Sequence, residues 1–375
     1  MCRSILSTQT SRDITAQTTW TTNCANNVVT VPAKGTADVT VTVKLSDALR
    51  KELTDTFENG IYIEGYITLK QQATAEGVTG CDLSIPYLAF YGDWDQAPVI
   101  DIGYYWQKLQ GEPNWASQYM NYGGSMLSGT GSFYVFGGNP YAPELAYYPE
   151  HNTLSPLRTD GYYDKVDLIY TALLRNAKSL TYRITDAKTG ETYYRKTVDY
   201  VGKSVYNANY DTILPAGSFA STAIDPWYGV DSAGEMLKDD TTVIVSIDAE
   251  LDHDGFTAAQ NKNAHWEFPV TIDNTPPQIL SSTSDGETLT LEVADSRYLA
   301  YVEVYDVEHM NVFSEPVFSQ GYSSKTPGET ATVRVNVSGL NKVYVCLADY
   351  GRNEKVVTLD AKTGKLIESS QFEYF

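Results

Sequence analysis

Short runs in which apolar and polar residues strictly alternate recur along the whole chain, and this pattern narrows the folding options more than any other. Val39, Val41, Val43 and Leu45 alternate with Thr40, Thr42 and Lys44, and Ile61, Ile63, Ile67 and Leu69 with Tyr62, Glu64, Tyr66 and Thr68. The same period returns in 179–186 (SLTYRITD), 240–248 (DTTVIVSID), 287–294 (ETLTLEVA), 299–306 (LAYVEVYD), 330–337 (TATVRVNV) and 342–349 (KVYVCLAD). Side chains of a strand point alternately to its two faces, so a period of two places one face on a core and the other in solvent. A helical period appears at Ser46–Phe57, where Leu49 and Leu53 lie four apart behind a Ser/Asp start suited to an N-cap. An all-β chain with one short helix is the expectation.

Punctuation divides these runs. The stretch 83–101 (LSIPYLAFYGDWDQAPVID) is apolar and aromatic as far as Tyr91, then breaks at Asp-Trp-Asp and Ala-Pro. It reads as a buried closing strand followed by a domain exit. A second exit lies at Ile272-Asp-Asn-Thr-Pro-Pro277. The expected parts are 1–98, 99–275 and 276–375, a number that suits 375 residues. Three consecutive β-sandwiches follow as the expected architecture, and strand, short helix, strand, loop, strand in the first part is compatible with a fibronectin type III-like sandwich.

Charge excludes some functions. With 27 Lys+Arg against 47 Asp+Glu the formal net charge is −20, and phosphate binding requires clustered cations that release counterions. Nucleic acid and anionic membrane surfaces are therefore not expected partners. No apolar run reaches the ~18 residues of a membrane span. Cys2, Cys24, Cys81 and Cys346 show no C-x-x-C spacing, which argues against a zinc knuckle.

Two candidate sites stand out. Residues 99–150 are dense in aromatics, among them Tyr104, Tyr105, Trp106, Trp115 and Tyr119. Flat aromatic faces can stack on a sugar or peptide, and equally can pack a core or a neighbouring domain. Asp248, Asp252 and Asp254, with Gly255 following, offer several carboxylate oxygens to a calcium ion, although the EF-hand spacing is not met. The same residues suit a polar hairpin turn. Catalytic residues are not expected. Gly124-Ser-Met-Leu-Ser-Gly129 lacks the G-x-S-x-G pattern, and there is no Walker loop, dinucleotide fingerprint or HExxH.

Several motifs carry a family resemblance. The order VTVPA (29–33), VTVTVKL (39–45), NGIYIEGYITL (59–69) and LSIPYLAFYGDW (83–94) resembles the fibronectin-type module that follows the protease domain in subtilisin-family cell-envelope proteinases of Gram-positive bacteria. LLRNAKSLTYRITD (173–186), GNPY (138–141) and LSP (154–156) resemble the second such module, and DNTPPQI (273–279) with DSRYLAYVEVYD (295–306) the third. Asp349-Tyr-Gly-Arg-Asn353 is similar to the D-x-x-G-N end hairpin of extracellular bacterial sandwiches, with Arg352 inserted. The resemblance implies a chain that starts several strands into the first module. It also implies a non-catalytic accessory region of an extracellular, cell-surface serine endopeptidase. Such a region would brace the protease domain of the parent chain, help to recognise protein substrates and space the active site from the cell wall. The alternative is a free-standing adhesin that binds cell-wall glycan through the aromatic segment 99–150.

Overall fold

The computed structural model describes residues 11–72, 81–100, 127–128, 134–146, 148–166, 173–203, 205–207, 212–214, 225–253, 255–256, 261, 264–309 and 315–370. The chain is nearly all-β and divides into two compact units, Met1–Ala97 and Pro98–Phe375.

In the first unit, β1 (Thr18–Thr22) pairs antiparallel with β2 (Val41–Leu45), and β3 (Ile61–Leu69) with β4 (Leu83–Tyr91). Between β2 and β3 lies α1 (Asp47–Thr56). The Ser46 hydroxyl accepts the Leu49 N–H at 3.2 Å, the cap that the sequence predicts. Leu49 and Leu53 bury the inner stripe of α1. They are the buried apolar side chains among the described residues of this unit. A cleft of about 470 Å³ is lined by Trp20, Val41, Val43, Ile67 and Leu69 from the two strand pairs.

The expectation that 83–91 is a buried closing strand is corrected here. β4 pairs with β3 alone, and Leu83, Ile85 and Leu88 are exposed. A run of apolar residues reports capacity for burial, whereas burial itself needs a second layer. Among the described residues of this unit none covers these three.

The second unit begins with the short pair β5 (Leu127–Ser128) and β6 (Tyr134–Val135). A five-stranded sheet follows in the order β7 (Thr153–Leu154), β13 (His265–Ile272), β12 (Thr242–Glu250), β8 (Ala177–Asp186), β9 (Thr192–Val201). β7 runs parallel to β13 and the remaining pairs are antiparallel. β10 (Val205–Asn207) and β11 (Thr212–Leu214) form a separate antiparallel pair. One face of the sheet buries Leu180, Tyr182, Ile184, Val243, Val245, Ile247, Trp266, Phe268 and Val270. Val99, Ile100, Phe136, Tyr163, Val166, Leu173 and Trp227 are among the further residues of that core. They include the isolated bridges Ile100–Leu173 and Val166–Trp227. A tight turn joins β8 to β9: Asp186 accepts the N–H groups of Lys188 and Thr189, and Gly190 takes φ 74°.

A sandwich of three strands on five follows. The smaller sheet is β14 (Gln278–Ser284), β15 (Thr288–Ala294), β18 (Ala331–Asn336). The larger runs β17 (Phe318–Gly321), β16 (Leu299–Asp306), β19 (Lys342–Asp349), β20 (Glu354–Asp360), β21 (Leu366–Ser370). Alternate residues of β15 (Leu289, Leu291, Val293) and β18 (Val333, Val335) pack on Val302, Val304, Val343, Val345, Leu347 and Leu359. Every run of alternation in 287–349 becomes a strand here. At ~25 cal/mol per Å² of apolar surface, such full burial is worth roughly 1.5–3 kcal/mol per side chain.

Candidate functional site: a buried carboxylate cluster between two β cores

The aromatic candidates Tyr104, Tyr105, Trp106, Trp115 and Tyr119 lie outside the described residues, as does Asp254. Asp248 stands on β12, where its carboxylate meets the Arg183 guanidinium at 2.9 Å and His265 Nδ1 at 2.7 Å. Asp252 sits in the bend that follows β12. Among the described cysteines, Cys24, Cys81 and Cys346 are free thiols.

A different set of acids converges within the second unit. Asp273 follows the last residue of β13, Asp295 follows the last residue of β15, and Asp349 ends β19. One carboxylate oxygen from each lies within 4.8 Å of the others. The three residues are 1 %, 3 % and 1 % exposed. Strand ends place them there: β13 closes the first core of this unit, while β15 and β19 belong to the two sheets of the following sandwich.

The surrounding hydrogen bonds hold the cluster in shape. Asn353 donates its backbone N–H to Asp349 Oδ1 at 2.7 Å. Its amide Nδ2 lies 2.7 Å from Asp349 Oδ2, 2.8 Å from the Asp273 carbonyl and 3.0 Å from Ser155 Oγ. Ser155 in turn donates to the Asp273 carbonyl at 2.7 Å. Asp273 Oδ1 accepts the Thr275 N–H and Asp295 Oδ1 the Arg297 N–H. Arg352, the extra residue in the Asp349–Asn353 turn, takes φ 63° and so lets Asn353 fold back onto Asp349.

Two oxygens of the cluster, Asp273 Oδ2 and Asp295 Oδ2, are buried with no hydrogen-bond partner. Arg297 is a cation close enough to act on Asp273 and Asp295 through its charge, yet its Nη1 is placed 3.3 Å from Asp240. Burial, with the Asp295 charge adding, lifts the Asp273 carboxyl to about 7. Burial lifts Asp295 to about 6 against the pull of neighbouring N–H groups and Arg297. Burial, then the charges of Asp295 and Asp273, raises Asp349 well above the usual carboxylate range. Three carboxylates in one dry site resist joint ionisation, because desolvation and like charge act in the same direction.

The cluster sits beside a wider seam. Asn139 Nδ2 donates to the carbonyls of Ala300 (2.7 Å) and Tyr322 (3.0 Å), and its Oδ1 accepts the N–H groups of Tyr141 and Ala142. Tyr141 stacks on Tyr301 with centroids 5.4 Å apart and donates to Glu354 at 2.9 Å. His151, fully buried, packs on the rings of Tyr298 and Tyr350 at 4.5 and 4.0 Å, with Nε2 2.5 Å from the Ser324 carbonyl. A carbonyl only accepts, so Nε2 carries the proton. A Cβ on Gly351 would collide with Ser155 Oγ and stand 3.0 Å from Thr153 Cγ2, which explains a residue without a side chain there.

Sequence reasoning used Asp273 only as part of a domain exit and Asp349 only as part of a turn. The available signal was an Asp placed directly after the last apolar residue of a run, as in Ile272-Asp273, Ala294-Asp295 and Ala348-Asp349. Only the tertiary structure shows that these three ends meet.

Comparison with known proteins places this architecture. Residues 4–88 match an Fn3-like domain. The chain is 24% identical over 319 residues to the C5a peptidase of Streptococcus pyogenes serotype M1. That alignment takes in 70% of this chain and 25% of the relative. It is 23% identical over 291 residues to the PI-type proteinase of Lactococcus lactis subsp. cremoris, covering 72% of this chain and 13% of the relative. The chain is homologous to a region of the subtilisin-family cell-envelope proteinases. It spans about a quarter or less of the length of these proteinases. The Fn3-like match falls on the thinly packed first unit, and the all-β build of the rest is that of sandwich modules. No helix among the described residues is long and apolar enough to cross a membrane.

Proposed function

We propose that this chain is a non-catalytic accessory region of an extracellular, cell-surface subtilisin-like serine endopeptidase. It braces the protease domain, contributes contacts to protein substrates and spaces the active site from the cell wall. One observation carries the reading: collinear similarity over 70% of the chain to a minor part of large surface proteinases. Local chemistry supports it. His151 is packed between tyrosine rings, while His265 and His309 hydrogen-bond to the carboxylates of Asp248 and Asp306. A triad requires one imidazole nitrogen on an orienting acid and the other on a nucleophile; His265 has both nitrogens on carboxylates, Asp248 and Glu267, and His151 directs Nε2 at the Ser324 carbonyl.

The test has two arms. The purified 375-residue chain should neither hydrolyse casein nor take up a fluorophosphonate label. The coding sequence immediately 5′ of the first codon should continue in frame into a protease domain with a Gly-Thr-Ser serine motif. Labelled, active chain refutes the non-catalytic reading, and an export signal directly upstream refutes the accessory one.

A further inference from the structure

We propose that Asp273, Asp295 and Asp349 bind one calcium ion, which joins the core built on β12 and β13 to the sandwich that follows it. The proposal goes beyond the accessory reading and is independent of it. Geometry is the first support. Calcium takes oxygen ligands at ~2.3–2.6 Å, so two oxygens on opposite sides of one ion stand roughly 4.6–5.2 Å apart. One oxygen from each of the three residues falls within 4.8 Å of the others, inside that span.

Orphaned buried atoms are the second support. Asp273 Oδ2 and Asp295 Oδ2 are shielded from solvent and accept no hydrogen bond. Both belong to buried residues, 1 % and 3 % exposed. A buried, unsatisfied carboxylate oxygen costs roughly several kcal/mol unless a charge meets it. Among the described residues no Lys, Arg or His side chain donates a hydrogen bond to any of the three carboxylates: Arg297 Nη1 faces Asp240, and Asn353 is neutral. A bound cation resolves all of this at once.

The donor set selects the metal. All three ligands are carboxylates, hard oxygen donors that suit calcium, magnesium or manganese rather than zinc or copper. Magnesium demands a near-ideal octahedron at ~2.0–2.1 Å, whereas calcium accepts six to eight oxygens in an adaptable shell. Ligands drawn from three separate strand ends fit the adaptable ion, with bidentate carboxylates and water filling the remaining positions. Asn353 holds the Asp349 carboxylate from behind and is itself held by Ser155, the usual role of hydrogen bonds around ligands.

The test uses the full chain. Stripped with a chelator and titrated with CaCl2 in a calorimeter, it should bind one calcium per chain, and the melting temperature of the second unit should rise. Asp295→Asn and Asp349→Asn should each abolish the heat and the thermal shift. Asp295→Asn relieves like-charge repulsion and disturbs only an oxygen that has no hydrogen-bond partner, so it should melt in chelator at or above the chelated parent. Terbium luminescence on the unmodified chain, quenched by added calcium, gives a readout that no variant's folding can confound. Absence of calcium heat, thermal shift and terbium signal at millimolar ion overturns the proposal. So does retention of binding by both variants, binding of magnesium or zinc alone, or loss of binding in Asp248→Asn instead, which would put the ion on the β12 hairpin.

Discussion

Leu88 and Leu347 stand on antiparallel strands of nine and eight residues, β4 and β19, yet Leu88 is 67 % exposed and Leu347 fully buried. β19 is central in a five-stranded sheet with a second sheet on its inner face. β4 pairs with β3 alone. The difference between the units is therefore not strand quality but the presence of a second layer. A two-stranded ribbon offers hydrogen bonds without enclosure, and an isolated hairpin is marginal in water. In Met1–Ala97 the strand pairs border an open cleft, and α1 supplies the buried leucines. In Pro98–Phe375 two closed cores meet along a seam of polar and aromatic contacts.

The contrast can be broken by mutation. Leu347→Ala removes a fully buried side chain, and a loss of about 2–5 kcal/mol is expected on denaturant unfolding. Leu88→Ala should change stability by no more than about 0.5 kcal/mol. Comparable losses at the two positions would show that β4 is covered in solution and would erase the distinction drawn above.

The seam gives the next largest effect. Gly351→Ala forces a methyl group onto Ser155 and Thr153, and overpacking of this kind costs about 1–3 kcal/mol. Pairing it with Ser155→Ala, which removes the clashing oxygen, should recover part of the loss. No recovery would mean that the Ser155 contact is not what excludes a side chain at position 351. In the first unit, Ser46→Ala removes the cap of α1 at a cost of about 1 kcal/mol, read as lost helical signal. Since α1 buries both core leucines, this small change should be felt across that unit.

The smallest effect is a pH dependence. Burial lowers the His151 pKa below its usual 6.5, and the charges of Arg297 and Lys325 act in the same direction. The Ser324 carbonyl and Glu150 oppose this. The unfolded chain thus binds the proton more readily than the folded one. His151 contributes its full stability above about pH 6.5, and the contribution falls away as pH drops from there through the lowered folded-state value. The difference in melting temperature between the parent chain and His151→Phe should shrink or reverse across that window. A difference that is flat with pH would show that His151 stays neutral in both states.

How much of this was legible beforehand follows from the range of each signal. The strands at 61–69, 179–186 and 287–349 and the capped helix are local, and their residues carry the information within a few positions. The burial of β4 was misread because an apolar run states a demand, and satisfying it depends on residues far away in sequence. The carboxylate cluster was invisible for the same reason. Asp273, Asp295 and Asp349 each look like ordinary strand-end polar residues, and spacings of 22 and 54 positions match no local motif. β20 and β14 were missed as well. The pattern EKVVTLD has two adjacent valines that blur its period, and QILSSTS carries a register shift between Ile279 and Ser281.

Only five residues, Asp273 to Pro277, separate β13 from β14. Pro276 and Pro277 have fixed φ and no N–H to give. Asp273 is held through its carbonyl by Ser155 and Asn353, and Asn274 and Thr275 both donate to the Asp239 carboxylate. A tether so short and so tightly held leaves little slack for the two cores to swing as beads on a string. A pull applied at one end of Pro98–Phe375 would reach the other as displacement rather than be lost in a hinge, which is the mechanical behaviour expected of a strut.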